Sequence, residues 1–313
     1  YPLGRWTRGG LKYSLQNIRI DDIAPIYQDF ALGQLVGFTP GGDIEDAREG
    51  IIRSEVTPSY IYNSKNSFFQ ATMGSRLALE VPISGGPLGG TFNIIRPFVE
   101  YQHFMPDKWI TKGRNTFATR VRFIHIIPYG TLDSGQPMAA PFYERLFTGG
   151  EYSLRGFNLR SVSPWAQLRS PRLDPGGHPI LDPATGLPFI SEQTIPVGGD
   201  TELIATAEYR IPIAGPVQLN AFVDFGTSVI LREDNIQVFG PNTFIDLVDS
   251  TNFVWRMSTG TEIQFLLPVI NQPFRLIFAY NPMRLQTDVV VNGIRLPLAE
   301  RTSNVRFTVG YNF

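Results

Sequence analysis

From Leu203 onward the chain alternates apolar and polar residues with a period of two. One set reads Leu203, Ala205, Ala207, Tyr209 and Ile211; between them lie Thr206, Glu208 and Arg210. Successive side chains of a strand point to opposite faces, so the segment predicts a strand with one greasy and one wet face. The pattern recurs four times. Val217, Leu219, Ala221, Val223 and Phe225 oppose Gln218, Asn220, Phe222 and Asp224. From Phe253, the set Phe253, Trp255, Met257, Thr259, Thr261, Ile263, Phe265 and Leu267 opposes Val254, Arg256, Ser258, Gly260, Glu262 and Gln264. Phe274, Leu276, Phe278 and Tyr280 oppose Arg275, Ile277, Ala279 and Asn281. The last strand sets Val305, Phe307, Val309, Tyr311 and Phe313 against Asn304, Arg306, Thr308, Gly310 and Asn312. Rougher strands are predicted at 11–22, 51–63, 75–84, 91–105 and 115–128, making ten in all.

Alternation alone fits a soluble sandwich, apolar in and polar out, or a membrane barrel with the sense reversed. Strand length and connection length separate the two. Several strands here run past ten residues, whereas ordinary strands average about 5–6. Short turns near 106–113, 214–216 and 268–273 alternate with long connections near 129–200, 229–252 and 282–302. Outer-membrane barrels show that rhythm, with short periplasmic turns and long extracellular loops. The expected fold is therefore all-β, a transmembrane antiparallel barrel, with 129–200 as a long extracellular loop. The segment 40–50 reads as a short capped helix within another loop.

Composition adds to this picture. Aromatics reach 12%, with 23 Phe and 12 Tyr, as aromatic girdles at two membrane interfaces require. No apolar run approaches the roughly 18 residues of a membrane helix. The net charge of −1 gives no basic surface for nucleic acid. Cysteine is absent, which suits passage through an oxidising compartment. The first residues, Tyr1-Pro2-Leu3-Gly4, read as the start of a mature or partial piece of a longer protein.

Enzyme chemistry finds little support. His103, His125 and His178 are scattered, without metal-ligand spacing, and no P-loop or GxSxG is present. Asp43, Glu45 and Asp46 read as a solvated loop, and Asp174-Pro175-Gly176-Gly177 and Asp182-Pro183 as turns. No cofactor or metal is expected.

One motif stands apart. Pro141-Phe142-Tyr143-Glu144-Arg145-Leu146-Phe147 precedes Gly149-Gly150 and Leu154-Arg155-Gly156-Phe157. It resembles the signature loop of the BamA-type outer-membrane assembly proteins, a group that includes TamA-like translocation factors and two-partner secretion transporters. Asn63-Ser64-Lys65-Asn66-Ser67-Phe68-Phe69, Ala207-Glu208-Tyr209 and Val223-Asp224-Phe225-Gly226-Thr227 extend the resemblance from about residue 50 to the end. It implies a sixteen-stranded barrel in which five strands follow the Arg-Gly-Phe loop, as they do here. The first strands and the periplasmic POTRA domains would then lie outside residues 1–313.

The resemblance further implies that Arg155 folds into the barrel and meets acidic residues on its inner wall. The alternation independently puts Glu208 and Asp224 on the wet face. Arginine suits that role, since its planar fork binds carboxylates bidentately and keeps its charge. Gly156 would permit close approach or positive φ, and Phe157 would supply an apolar plug. The terminal residues Phe307, Val309, Gly310, Tyr311 and Phe313 resemble the assembly signal of outer-membrane proteins. Physically they form an edge strand able to pair with another. The implied function is insertion of client barrels without ATP. Its partners would be unfolded outer-membrane proteins, accessory assembly proteins and lipid. A polypeptide-secretion pore with the Arg155 loop as its plug, or a passive porin, are the alternatives.

Overall fold

The computed structural model describes residues 1–19, 50–68, 70–131, 137–172, 174, 178–232, 234, 244–267, 272–291 and 293–310. Ten long strands form one antiparallel meander. They are β1 Thr7–Ile18, β2 Ile51–Asn63, β3 Gly74–Glu80, β4 Phe98–Pro106 and β5 Thr116–His125. The second half holds β6 Thr201–Ala214, β7 Val217–Val229, β8 Arg256–Leu267, β9 Gln272–Met283 and β10 Ser303–Val309. Each pairs with its neighbour in sequence. Three two-residue strands, Ile83–Ser84, Ile94–Ile95 and Ile127–Pro128, branch from β2 and bring the sheet to thirteen. There is no α-helix among the described residues. The outer long strands, β1 and β10, do not pair with each other, so this wall of a barrel is not closed.

Register decides which side chains share a face. Thr206 lies opposite Asp224, Glu208 opposite Phe222 and Asn220 opposite Glu262. Gln264 lies opposite Arg275, and Arg275 opposite Thr308. The pairing therefore aligns the wet faces of β5 to β10 into one continuous surface. Arg120, Glu208, Asp224, Glu262 and Arg275 are buried there, while Phe117, Val121, Val223, Phe265, Phe278 and Phe307 are exposed on the other side. Outward aromatics pair at both rims. Phe117–Tyr209 and Phe274–Phe307 lie at the short-turn end, with ring centroids 4.7 and 5.6 Å apart; Phe225 stacks on Trp255 at the long-loop end at 4.9 Å.

Several boundaries differ from the pattern-based expectation, for local reasons. The strand expected to run to residue 84 ends at Glu80, ahead of Pro82, and Ile83–Ser84 turns back to pair with Glu55 and Val56 of β2. Its neighbour starts at Phe98 rather than 91, because Pro97 has no N–H for the ladder. The strand expected from Phe253 begins at Arg256, since Phe253 takes a left-handed φ of 56°. The first strand runs Thr7–Ile18 rather than 11–22. The long connections carry structure of their own. Trp165–Pro171 pairs with Ile190–Pro196 and with Phe244–Leu247 in a separate three-stranded sheet. Gln286–Val291 and Ile294–Ala299 form a hairpin. Of the segment 40–50 only Gly50 is described, and Phe69, Tyr311 and Phe313 lie outside the described residues.

Candidate functional site: the Arg155 loop and the inner wall

The chain leaves β5 and returns along the polar face of the sheet. A cluster of Ile51, Phe92, Ile94, Ile126 and Ala140, flanked by Met138, Phe142, Tyr143 and Leu146, seats the start of this segment. Past Gly149 it descends along the wall. Leu154, Phe157 and Val162 then pack on Ile204 of β6 in a second apolar cluster. Phe157 is only 2% exposed, and this small cluster is its packing.

Arg155 is fully buried. Its Nε donates to Asp224 Oδ2 at 2.8 Å and its Nη2 to Asp224 Oδ1 at 2.7 Å, a bidentate fork. The backbone N–H of Arg155 adds a third bond to Asp224 Oδ2 at 3.0 Å. Nη1 donates to Glu208 Oε1 at 2.6 Å and to Glu262 Oε2 at 3.3 Å. The guanidinium carbon stands 3.7 Å from the ring centroid of Phe222, a cation–π contact. Phe222 itself packs with Ile277 and Ala279. Burial alone works against the arginine's charge, but Asp224 and Glu208 outweigh it and hold its pKa above the ordinary arginine value.

Two further arginines flank this centre. Arg210 Nε donates to Glu208 Oε2 at 2.9 Å. Arg275 Nε and Nη2 donate to Glu262 Oε1 and Oε2 at 3.0 and 2.7 Å. Arg155, Arg210 and Arg275 thus face Glu208, Asp224 and Glu262, and the formal charges cancel. That cancellation lets these ions be buried together, since an unpaired buried charge is costly.

Gly156 follows with φ at 97°. A Cβ at this position would clash with Asn281 Oδ1 and come within 2.8 Å of Ala279 Cβ. Both of glycine's properties are needed here: the left-handed backbone and the missing side chain. Asn281 Nδ2 donates to the Gly156 carbonyl at 3.0 Å. One step back, the Glu151 carboxylate accepts from Arg306 Nη1 of β10 at 2.8 Å, and its carbonyl from Arg275 Nη2 at 3.3 Å. Partial burial opposes the Glu151 charge, but hydrogen bonds from its own backbone N–H and from Arg306 keep its pKa below the ordinary carboxylate value.

The sequence-predicted residues are therefore placed as follows. Leu154, Arg155, Gly156 and Phe157 lie together on the inner wall, with Glu208 and Asp224 on Arg155. Phe307 and Val309 point outward, 63% and 41% exposed, and Gly310 closes β10. Sequence reasoning did not single out Glu262, Arg275, Arg210 or Phe222 as part of this centre. The signal was available, because all four occupy the wet or returning face of their strands. The histidines lie elsewhere: His103 and His125 bond Ser75 and Thr201 through Nδ1, and His178 approaches Asp174. Among the described residues there is no acidic or histidine cluster fit for a metal ion.

A β-barrel wall with an arginine loop docked on inner carboxylates defines a class, and comparison with known proteins agrees. The Omp85 superfamily domain matches residues 1–313, and the chain belongs to that superfamily. It is 26% identical over 165 residues to the outer membrane protein assembly factor BamA of Nitratidesulfovibrio vulgaris (strain Hildenborough). That match covers 52% of this chain and 18% of the relative. The crystal structure of BamA from Haemophilus ducreyi lacking POTRA domains 1–3 superposes with a TM-score of 0.58 at 16% identity. The superposition covers 98% of this chain and 52% of that one, so the chain spans about half of the solved relative.

Proposed function

We propose that residues 1–313 form the C-terminal part of an outer-membrane barrel that folds client β-barrels into the membrane, with further strands completing the sheet. The observation that carries this reading is the wall itself. The charged loop is locked on the inner face by Arg155 and by Glu151 on Arg306 of β10, and β10 presents an apolar outer face and, on the side away from β9, the backbone groups with which further strands of the barrel would pair. Such an edge offers a row of N–H and C=O groups to an incoming strand. The free energy of insertion would come from the client's own backbone pairing and apolar burial, which lipid enforces. ATP and metals have no role in this scheme. The similarity to an assembly factor supports the same reading. The wall faces lipid outside, the long connections lie on the extracellular side and the short turns on the periplasmic side. Accessory assembly proteins would act from the periplasm.

A secretion pore is the competing reading, with the Arg155 loop as its plug. Depletion separates the two. Loss of many other barrels from the outer membrane, with the protein's own gene restoring them, is the outcome expected for assembly. Normal levels of other barrels, with failure to export one passenger polypeptide, would overturn it.

A further inference from the structure

The tip of the loop does more than dock beneath Arg155. We propose that Tyr152 is a latch that ties the loop to the backbone edge of β10 turned away from β9 and that any strand pairing along that edge to its end has to displace it. The inference rests on the assembly reading for its consequence, but not for the contact itself.

The Tyr152 hydroxyl donates to the Val309 carbonyl at 2.6 Å. Register shows what that carbonyl is. Val309 lies opposite Phe274, and the bond from Gly310 N–H to the Pro273 carbonyl marks the two as a non-hydrogen-bonded pair. Val309 therefore turns its own N–H and C=O away from β9, toward the side of β10 on which no strand pairs among the described residues. The same alternation holds at Ser303, where Asn281 N–H bonds the Thr302 carbonyl. So Ser303, Val305, Phe307 and Val309 carry the groups an added strand would use, and Tyr152 occupies the last of those carbonyls.

The surroundings are shaped for this contact. Gly310 has φ at 124°, and a Cβ there would come within 2.9 Å of the Tyr152 hydroxyl. The glycine leaves the room the phenol fills. At its other end Tyr152 is tethered across the wall, for Arg120 Nη2 of β5 donates to its carbonyl at 3.1 Å. Arg275 sits 5.8 Å from its ring. Tyr152 thus forms a crossbar from β5 to β10. A strand that pairs along β10 to its end must take the Val309 carbonyl from the phenol, and so must shift the loop tip. Loop position and edge availability become one equilibrium.

The test uses the full-length protein in lipid vesicles and the substitution Tyr152→Phe, which removes one oxygen and keeps the ring. Hydrogen exchange of the peptide covering 303–310 reads the contact. The loss of one net hydrogen bond should speed it roughly two- to ten-fold. Disulfide capture of a client-strand peptide bearing cysteine by Phe307→Cys reads the edge, and should rise by a similar factor. Unchanged exchange refutes the latch whatever the client does. Faster exchange with unchanged, measurable capture refutes the required displacement. Faster exchange with no capture by either protein keeps the contact and counts against the assembly reading. Should Tyr152→Phe prove unstable, Gly310→Ala, which crowds the phenol from the strand side, must raise exchange in the same peptide for the latch to stand.

Discussion

Arg155→Met should release the loop from the wall. The size of the effect follows from the partners left behind. Asp224 is fully buried, and its side-chain hydrogen bonds among the described residues all come from Arg155. Methionine fills a similar volume but carries no charge. The centre then holds Glu208, Asp224 and Glu262 against Arg210 and Arg275, one negative charge in excess. Breaking a buried ion pair by removing one partner costs about 3–5 kcal/mol, or roughly two to three and a half orders of magnitude in the loop-opening constant. The assay is hydrogen exchange and limited proteolysis of 149–157 in vesicles. Arg155→Lys should fall between wild type and methionine, because a point charge replaces the fork. Arg155→Met with Asp224→Asn should cost less than the two single changes together, since no orphaned carboxylate remains. The reasoning fails if Arg155→Met leaves exchange at the wild-type rate. It fails equally if the double change equals the sum of the singles to within about 0.5 kcal/mol, the usual mark of independent sites.

Gly156→Ala should also loosen the loop, measured by the same proteolysis, because the new methyl meets Asn281 and Ala279 on a left-handed backbone. Phe157→Ala removes a ring from the cluster of Leu154, Val162 and Ile204 and should destabilise loop docking by about 3–5 kcal/mol, the usual cost of a buried Phe→Ala change; unchanged thermal unfolding of the loop would contradict it. Glu151 has its pKa lowered on docking, so its contribution is present above the ordinary carboxylate pKa and is lost as pH falls through the lowered value. Glu151→Gln should therefore speed exchange at the loop tip at neutral pH and make no difference in acid below that value. Glu262→Gln should weaken the hold on Arg275, visible as faster exchange in β9 and β10, with the Asp224 contacts retained.

The alternation along the chain was enough to count the strands and to divide wet from greasy faces, because a half-buried strand writes its environment with period two. The wet positions included Glu208 and Asp224 before any contact was known. Proline and backbone geometry hid the rest. Pro82 and Pro97 interrupt stretches whose side-chain pattern continues, so pattern alone ran β3 and β4 too far. Glu262 and Arg275 were visible as wet residues but not as neighbours of Arg155. Their proximity depends on the stagger between β7, β8 and β9, which sets Asn220 opposite Glu262 and Gln264 opposite Arg275. No local sequence encodes that offset. Of the strands inside 129–200, Trp165–Pro171 pairs with Ile190–Pro196 of the same connection and with Phe244–Leu247 of a different one, a long-range pairing that no local pattern marks.

The two faces of the wall settle which architecture the alternation belongs to. In a soluble sandwich the apolar set would fill the space between two layers and the charged set would face water. Here the assignment is reversed. Arg155, Asp224 and Arg275 are 0–1% exposed, while Val305 and Phe307 on β10 are 64% and 63% exposed. Carboxylates and guanidiniums accept that burial because each finds its counterion within the wall. The outward side chains cannot be satisfied by pairing, since neighbours such as Phe274 and Phe307 cover only part of each other. A contiguous apolar surface of this kind marks a face that meets lipid or another protein rather than water. A chain that stayed monomeric and folded in plain buffer, with no detergent or lipid, would break this step and with it the reading of β10 as an edge within a membrane.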